Sequence, residues 1–157
     1  MTRDDEQSMP ASAREERTIM PKKTKKQWVY APAKPPKPAV SDHVKVEVQK
    51  KADQFVEIFL KPNFIKPPPE DTQWNYIVDI YTKWYRSYFY FCSKYHCPAP
   101  NTIADYFEDK FARLEYEGSE KFNAAYMRHT EQWWEIFQDL SLDQCLEAIQ
   151  NIPNLQP

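Results

Sequence analysis

The densest polar cluster in this 157-residue chain is Arg128-His129-Thr130, with Glu131 and Glu135 close behind it. A histidine beside a carboxylate is the smallest unit that can move a proton. Nothing around it supplies a nucleophile. There is no Gly-x-Ser-x-Gly, and no catalytic signature surrounds any of the three cysteines. Cys92, His96 and Cys97 form a second constellation. On a helix, Cys92 and His96 would stand four residues apart on one face, a workable pair of metal ligands. A fourth ligand would have to come from His129 or Cys145, and nothing in the sequence requires either. These residues therefore read as core cysteines and a histidine at a helix end, with no metal and no cofactor expected. A third group, Lys83, Arg86 and Lys94, makes a modest basic stripe.

Residues that could bind rather than react are more numerous. Trp28 and Tyr30 lie in a Lys- and Pro-rich stretch, where exposed aromatics are unusual. They read either as a strip docked on the chain's own domain or as a short motif for a partner. Met127 and Trp133 could anchor a recognition face, with Arg113, Arg128, His129 and Glu135 as its polar groups.

These candidates need elements to hold them. Ser41 can cap a helix over 42–60, which buries Val44, Val48, Ala52, Phe55 and Phe59 and is ended by Pro62. From Asp71 to Cys97 no Gly or Pro intervenes. Its polar residues recur at spacings of three and four, which predicts a second long helix, aromatic on most of its surface. Asn101 can cap a short helix to Glu108. Alternation then predicts strands over 110–117, 121–129 and 133–138, with a hairpin turn at Glu117-Gly118-Ser119-Glu120. Ser141 and Gln144 have capping-box spacing and open a last helix, 142–150.

The expected fold is α+β: two long helices and a short helix on a three-stranded antiparallel meander, closed by a C-terminal helix. One sheet face carries Ala112, Leu114, Tyr116, Phe122, Ala124, Tyr126, Trp134 and Ile136 and should meet the helices. The other carries Phe111, Arg113, Glu115, Asn123, Met127, His129, Trp133 and Glu135. It reads as a solvated face or as a recognition face. The order short helix, three strands, helix is like that of the double-stranded-RNA-binding domain. The likeness ends at the last helix, where Ser141-Leu142-Asp143-Gln144 stands in place of phosphate-gripping lysines.

Composition bounds the function. The single glycine, Gly118, argues against phosphate loops and dinucleotide-binding turns. No 18-residue apolar run predicts a membrane span, and the polar first 30 residues predict no secretory signal. An odd number of cysteines fits a reduced, cytoplasmic chain. Residues 1–40 hold nine basic and five acidic residues, a balance of +4, while 41–157 hold 12 and 18, a balance of −6. The expected organisation is a disordered basic arm, 1–40, and one domain, 41–157. Met20 reads as a natural start, with 1–19 an upstream extension. An acidic domain is a poor partner for nucleic acid as a whole, so such binding would fall to the arm or to one local face.

The chain also resembles a group of small bacterial proteins of unknown function. The resemblance rests on Lys25-Lys26-Gln27-Trp28-Val29-Tyr30, on Asp79 to Arg86, on Phe111 to Tyr116, and on Met127 to Thr130 with Trp133. It implies no activity. The leading expectation is a non-catalytic interaction or accessory protein with a protein partner and no membrane. A nucleic-acid-associated protein is second, and a small enzyme using His129 and a glutamate is third.

Overall fold

The computed structural model describes residues 35–157 apart from Thr72. The expectations placed on the arm before Pro35, including Trp28, Tyr30 and Met20, lie outside the described residues.

The domain is α+β, with a five-stranded antiparallel sheet in sequence order β1-β2-β3-β4-β5. The strands are β1 (Tyr76–Tyr85), β2 (Tyr88–His96), β3 (Tyr106–Gly118), β4 (Lys121–Met127) and β5 (Trp133–Leu140). Helix α1 (Asp42–Phe55) runs through a wide π turn, Val56–Leu60, into α2 (Lys61–Phe64). Helix α3 (Leu142–Asn151) and a 3-10 turn, Pro153–Leu155, close the chain. The helices pack on one face of the sheet. Val48, Ala52, Val56 and Leu60 make a row along the first helix, and meet Ile80, Phe89, Phe91, Leu114, Phe122, Ala124, Cys145, Ile149 and Leu155 in one core.

The ends of the helices follow local chemistry. The Ser41 hydroxyl accepts from the Val44 amide at 3.3 Å. Ser141 and Gln144 form the expected reciprocal capping box, at 3.2 and 2.9 Å. Pro62 does not end the helix, contrary to expectation. A proline ring clashes with the carbonyl four residues before it, and the wider turn, in which the Lys61 amide reaches back to Val56, relieves that clash.

The predicted second long helix is a β-hairpin. Residues 71–97 contain no Ala, Leu, Met or Glu, the residues a helix favours, and are rich in Tyr, Phe, Trp, Ile and Thr. The alternation is hidden because the chain reverses at Arg86–Ser87, where Arg86 takes a left-handed φ of 56°. Tyr85 pairs with Tyr88, so the side-chain parity flips across the two-residue turn. Lys83, at an odd position before it, and Lys94, at an even position after it, then share one face. Thr82 belongs to the other face, where its hydroxyl donates to Asp53 of α1 at 2.8 Å. Asp79 and Lys83 are not the ion pair a helix would give: Asp79 faces Lys61 at 3.6 Å and Lys83 faces Glu108 at 2.5 Å.

The predicted short helix is also absent: 101–105 is turn and bend, and the rest is strand. Tyr106–Glu108 open β3, opposite His96, Tyr95 and Lys94. With that helix gone, the order likened to the double-stranded-RNA-binding domain is gone as well. The three predicted strands are β3 to β5, and the hairpin adds two more.

The β3–β4 turn sits one residue later than its sequence suggests. Gly118, at φ 91°, pairs with Lys121, and the turn residues Ser119 and Glu120 have φ of 51° and 58°. Two consecutive left-handed residues define a turn that prefers Asn-Gly. The double substitution Ser119→Asn, Glu120→Gly is expected to raise stability by about 1 kcal/mol. A urea midpoint that does not rise would count against this turn geometry.

Candidate functional site

The sheet face opposite the helices has no helix or second sheet packed on it among the described residues. Alternation and register assemble it across all five strands. It holds Tyr81, Lys83 and Tyr85 of β1, and Tyr88, Tyr90, Cys92, Lys94 and His96 of β2. Beside these come Tyr106, Glu108, Lys110, Arg113 and Glu115 of β3. Asn123, Ala125 and Met127 of β4, with Trp133 and Glu135 of β5, complete it.

Most of the sequence-based sorting of the two faces is therefore observed, with three exceptions, the first being His129, which falls in the β4–β5 turn and on neither face. Phe111 is the extra residue of a bulge between Lys110 and Ala112, and it turns into the core, where it is buried. Trp134 shares a face with the helices, yet it is 52% exposed and lies under the Arg128 guanidinium, 4.7 Å from its ring.

The centre of the face is a lattice of cations on rings. Arg113 lies 4.6 Å from the Tyr88 ring and 4.9 Å from the Trp133 ring. Lys110 lies 4.9 Å from Tyr90, and Lys94 lies 4.5 Å from Tyr106. Trp133 and Tyr90 have centroids 5.7 Å apart, although two strands separate them. Strands are about 4.8 Å apart, so both side chains lean inward. They can do so because Ala125, which lies between Arg113 and Glu135 in the register, leaves a valley. Ala125 is buried beneath this layer. Tyr90 is only 9% exposed and acts as the floor for Trp133.

Charge on this face is unevenly matched. Lys83 and Tyr81 both donate to Glu108. Lys37, ahead of α1, pairs with the buried Glu115 and donates to the Tyr88 hydroxyl at 2.9 Å. Lys94, Lys110 and Arg113 make no ion pair among the described residues. The Arg113 Nε is buried and has no hydrogen-bond partner.

The Lys83 ammonium, and after it the Tyr81 hydroxyl, hold the Glu108 carboxyl below its ordinary pKa. Bonding to Glu108 raises Lys83, while burial, then Glu108, raises Tyr81. A lowered carboxylate contributes stability above its unfolded pKa and loses that contribution as pH falls through its folded one. The stability gap between wild type and Glu108→Gln is therefore expected to be full at neutral pH. It should close as pH falls below about 4. Urea titrations at a series of pH values would measure it, and a gap that widens in acid contradicts the assignment.

The remaining sequence candidates are dispersed. Cys92 and His96 lie on one strand, about 13 Å apart at 3.3 Å per residue, not on adjacent helical turns. Among the described residues no group of three or more His, Cys, Asp and Glu side chains is placed to hold a metal ion. Burial pushes the Cys92 thiol up to about 11 and the Cys145 thiol up to about 12, so both are thiols at neutral pH. His96 instead lies between the rings of Tyr76 and Tyr106, at 5.3 and 5.0 Å. Arg128 and His129 are exposed in the β4–β5 turn, and His129 makes no hydrogen bond to Glu131 or Glu135 among the described residues. Arg86 is in the β1–β2 turn, so of the predicted basic stripe only Lys83 and Lys94 reach the open face.

Sequence reading missed Tyr88, Tyr90 and Lys110 as members of the site. The signal was the missing helix formers on either side of Arg86–Ser87.

Among the described residues no helix is long and apolar enough to cross a membrane. No curated protein and no solved structure matches the chain. A family described as a domain of unknown function (DUF3024) matches residues 40–155, a span that takes in every strand of the open face and leaves out Trp28 and Tyr30. The chain belongs to that DUF3024 family.

Proposed function

We propose that this protein is a non-catalytic binding module that docks an extended macromolecule on the open face of its sheet. One observation carries the reading. A domain with a charge balance of −6 gathers three cations without carboxylate partners on one aromatic face. Leaving aromatic rings open to water costs free energy, and an anionic partner covering the face would remove that cost and pair the cations. Met127, Trp133, Arg113 and Glu135, expected from the sequence as recognition residues, belong to this surface. An acidic protein segment would fit it, and so would the nucleic-acid alternative, because each brings negative charge to the cations.

The experiment compares capture from a cell extract by the full chain, by the Arg113→Ala, Trp133→Ala double variant, and by Val46→Ser on the exposed side of α1. A macromolecule held by the wild type and by the α1 control, and lost by the face variant, supports the reading. Capture that survives in the face variant refutes it.

A further inference from the structure

The face has a direction, and its layout is informative about the partner. Two widely open rings mark its ends: Tyr85, 56% exposed, beside the β1–β2 turn, and Tyr106, 49% exposed, at the far end of β2. Tyr88 to His96 spans eight steps, about 26 Å of strand. Arg113 and Lys110 stand along β3 between those ends, and Lys94 stands beside Tyr106. The partly buried Trp133 ring flanks the middle. Rings and cations thus alternate along one flat track.

We infer that this track binds single-stranded nucleic acid, with bases stacking on Tyr85, Tyr106 and Trp133, and phosphates meeting Lys94 and Lys110. The inference rests on the docking reading above and names its partner class.

Three physical points favour it. Bases stack on aromatic and guanidinium faces whatever their identity, so a row of rings serves a strand of any sequence. The unpaired cations match a phosphate backbone in charge, on a domain that otherwise repels one. A five-stranded sheet is wider than the two-stranded ribbon that an undistorted major groove admits, but its face can receive unstacked bases. An acidic peptide would answer the cations and leave the row of open rings without a role. Lys37 adds a further cation at the Tyr88 end of the track.

The test is fluorescence anisotropy with the full chain. The probes are labelled 20-nucleotide oligo-dT and oligo-U, a duplex of equal length, and poly-glutamate. Binding to the single strands should exceed binding to the duplex and to poly-glutamate at least tenfold. It should weaken on going from 50 to 200 mM salt. The slope in log units should be at least as steep as about −1.4, since two phosphate contacts at roughly 0.7 each set that floor. The double variant Lys94→Glu, Lys110→Glu should weaken binding at least tenfold and flatten the slope. Both positions are accessible enough to leave the fold intact, which circular dichroism checks. Trp133→Ala should weaken binding with little change in slope, because it removes stacking and not charge.

Equal or tighter binding to the duplex or to poly-glutamate overturns the inference. So does binding that is untouched in Lys94→Glu, Lys110→Glu, because the lysines ahead of Pro35 would then account for it. If no oligonucleotide binds at 50 mM salt while the face variant still abolishes capture from extract, this inference fails and the docking reading stands.

Discussion

Replacing Phe89 with alanine is expected to destabilise the domain by about 3–5 kcal/mol. Phe89 is fully buried in β2, a central strand of the sheet. Its ring lies 5.0 Å from Trp84 and 5.4 Å edge-on from Phe91. Truncation therefore removes a large apolar side chain, leaves a cavity, and deletes two aromatic contacts. The cavity would open where α1 meets the hairpin, since Trp84 is tied to α1 by its indole N–H, which donates to the Lys45 carbonyl at 3.3 Å. Against a usual domain stability of about 5–15 kcal/mol, that loss is a large fraction. Urea unfolding of Phe89→Ala measures it, with Phe89→Leu expected to cost much less because most of the volume is kept. A loss under about 1 kcal/mol would mean that β2 does not lie over this core. The neighbouring substitution Tyr88→Ala, on the open face, should cost far less stability while altering binding. That contrast distinguishes a hairpin, in which adjacent residues face opposite ways, from a helix.

Leu155→Ala is expected to cost about 2–4 kcal/mol. Nothing in the sequence marks this residue: it follows Pro153, where a helix ends, in a short polar stretch. In the structure the chain turns back after α3. The Leu155 amide donates to the Ile152 carbonyl at 3.0 Å and its side chain is fully buried in the main core. Gln156 secures the turn, its side-chain amide donating to the carbonyls of Ile149 and Gln150, each at 3.0 Å. Those two carbonyls are among the groups that a helix end leaves unsatisfied. The last turn thus caps α3 and closes the floor of the core. Asn154→Ala, one residue earlier and exposed, should change stability by no more than about 0.5 kcal/mol. If the two variants unfold at the same urea concentration, Leu155 does not hold this position.

The sequence by itself determined what short-range chemistry determines. Ser41 and Ser141 mark the two helix starts because a cap is decided within three residues. Val48 and Ala52 face the core because four-residue spacing fixes a helix face. Arg113, Met127, Trp133 and Glu135 fall on one side because alternation is local to each strand. What only the tertiary structure decided is where strands meet. The Asp71–Cys97 stretch satisfies a helical period when read as one segment. It is a hairpin because its β-branched and aromatic residues gain more from pairing with β3 than from coiling on themselves. That gain comes from residues 10 to 27 positions away, such as Phe91 with Ala112 or Tyr81 with Glu108. The same pairing flips side-chain parity at Arg86–Ser87, sends Phe111 inward at a bulge, and carries Tyr90, Lys110 and Trp133 from three strands to one place. A site made by strand pairing has no period in the chain, so its members become legible only once the register is known.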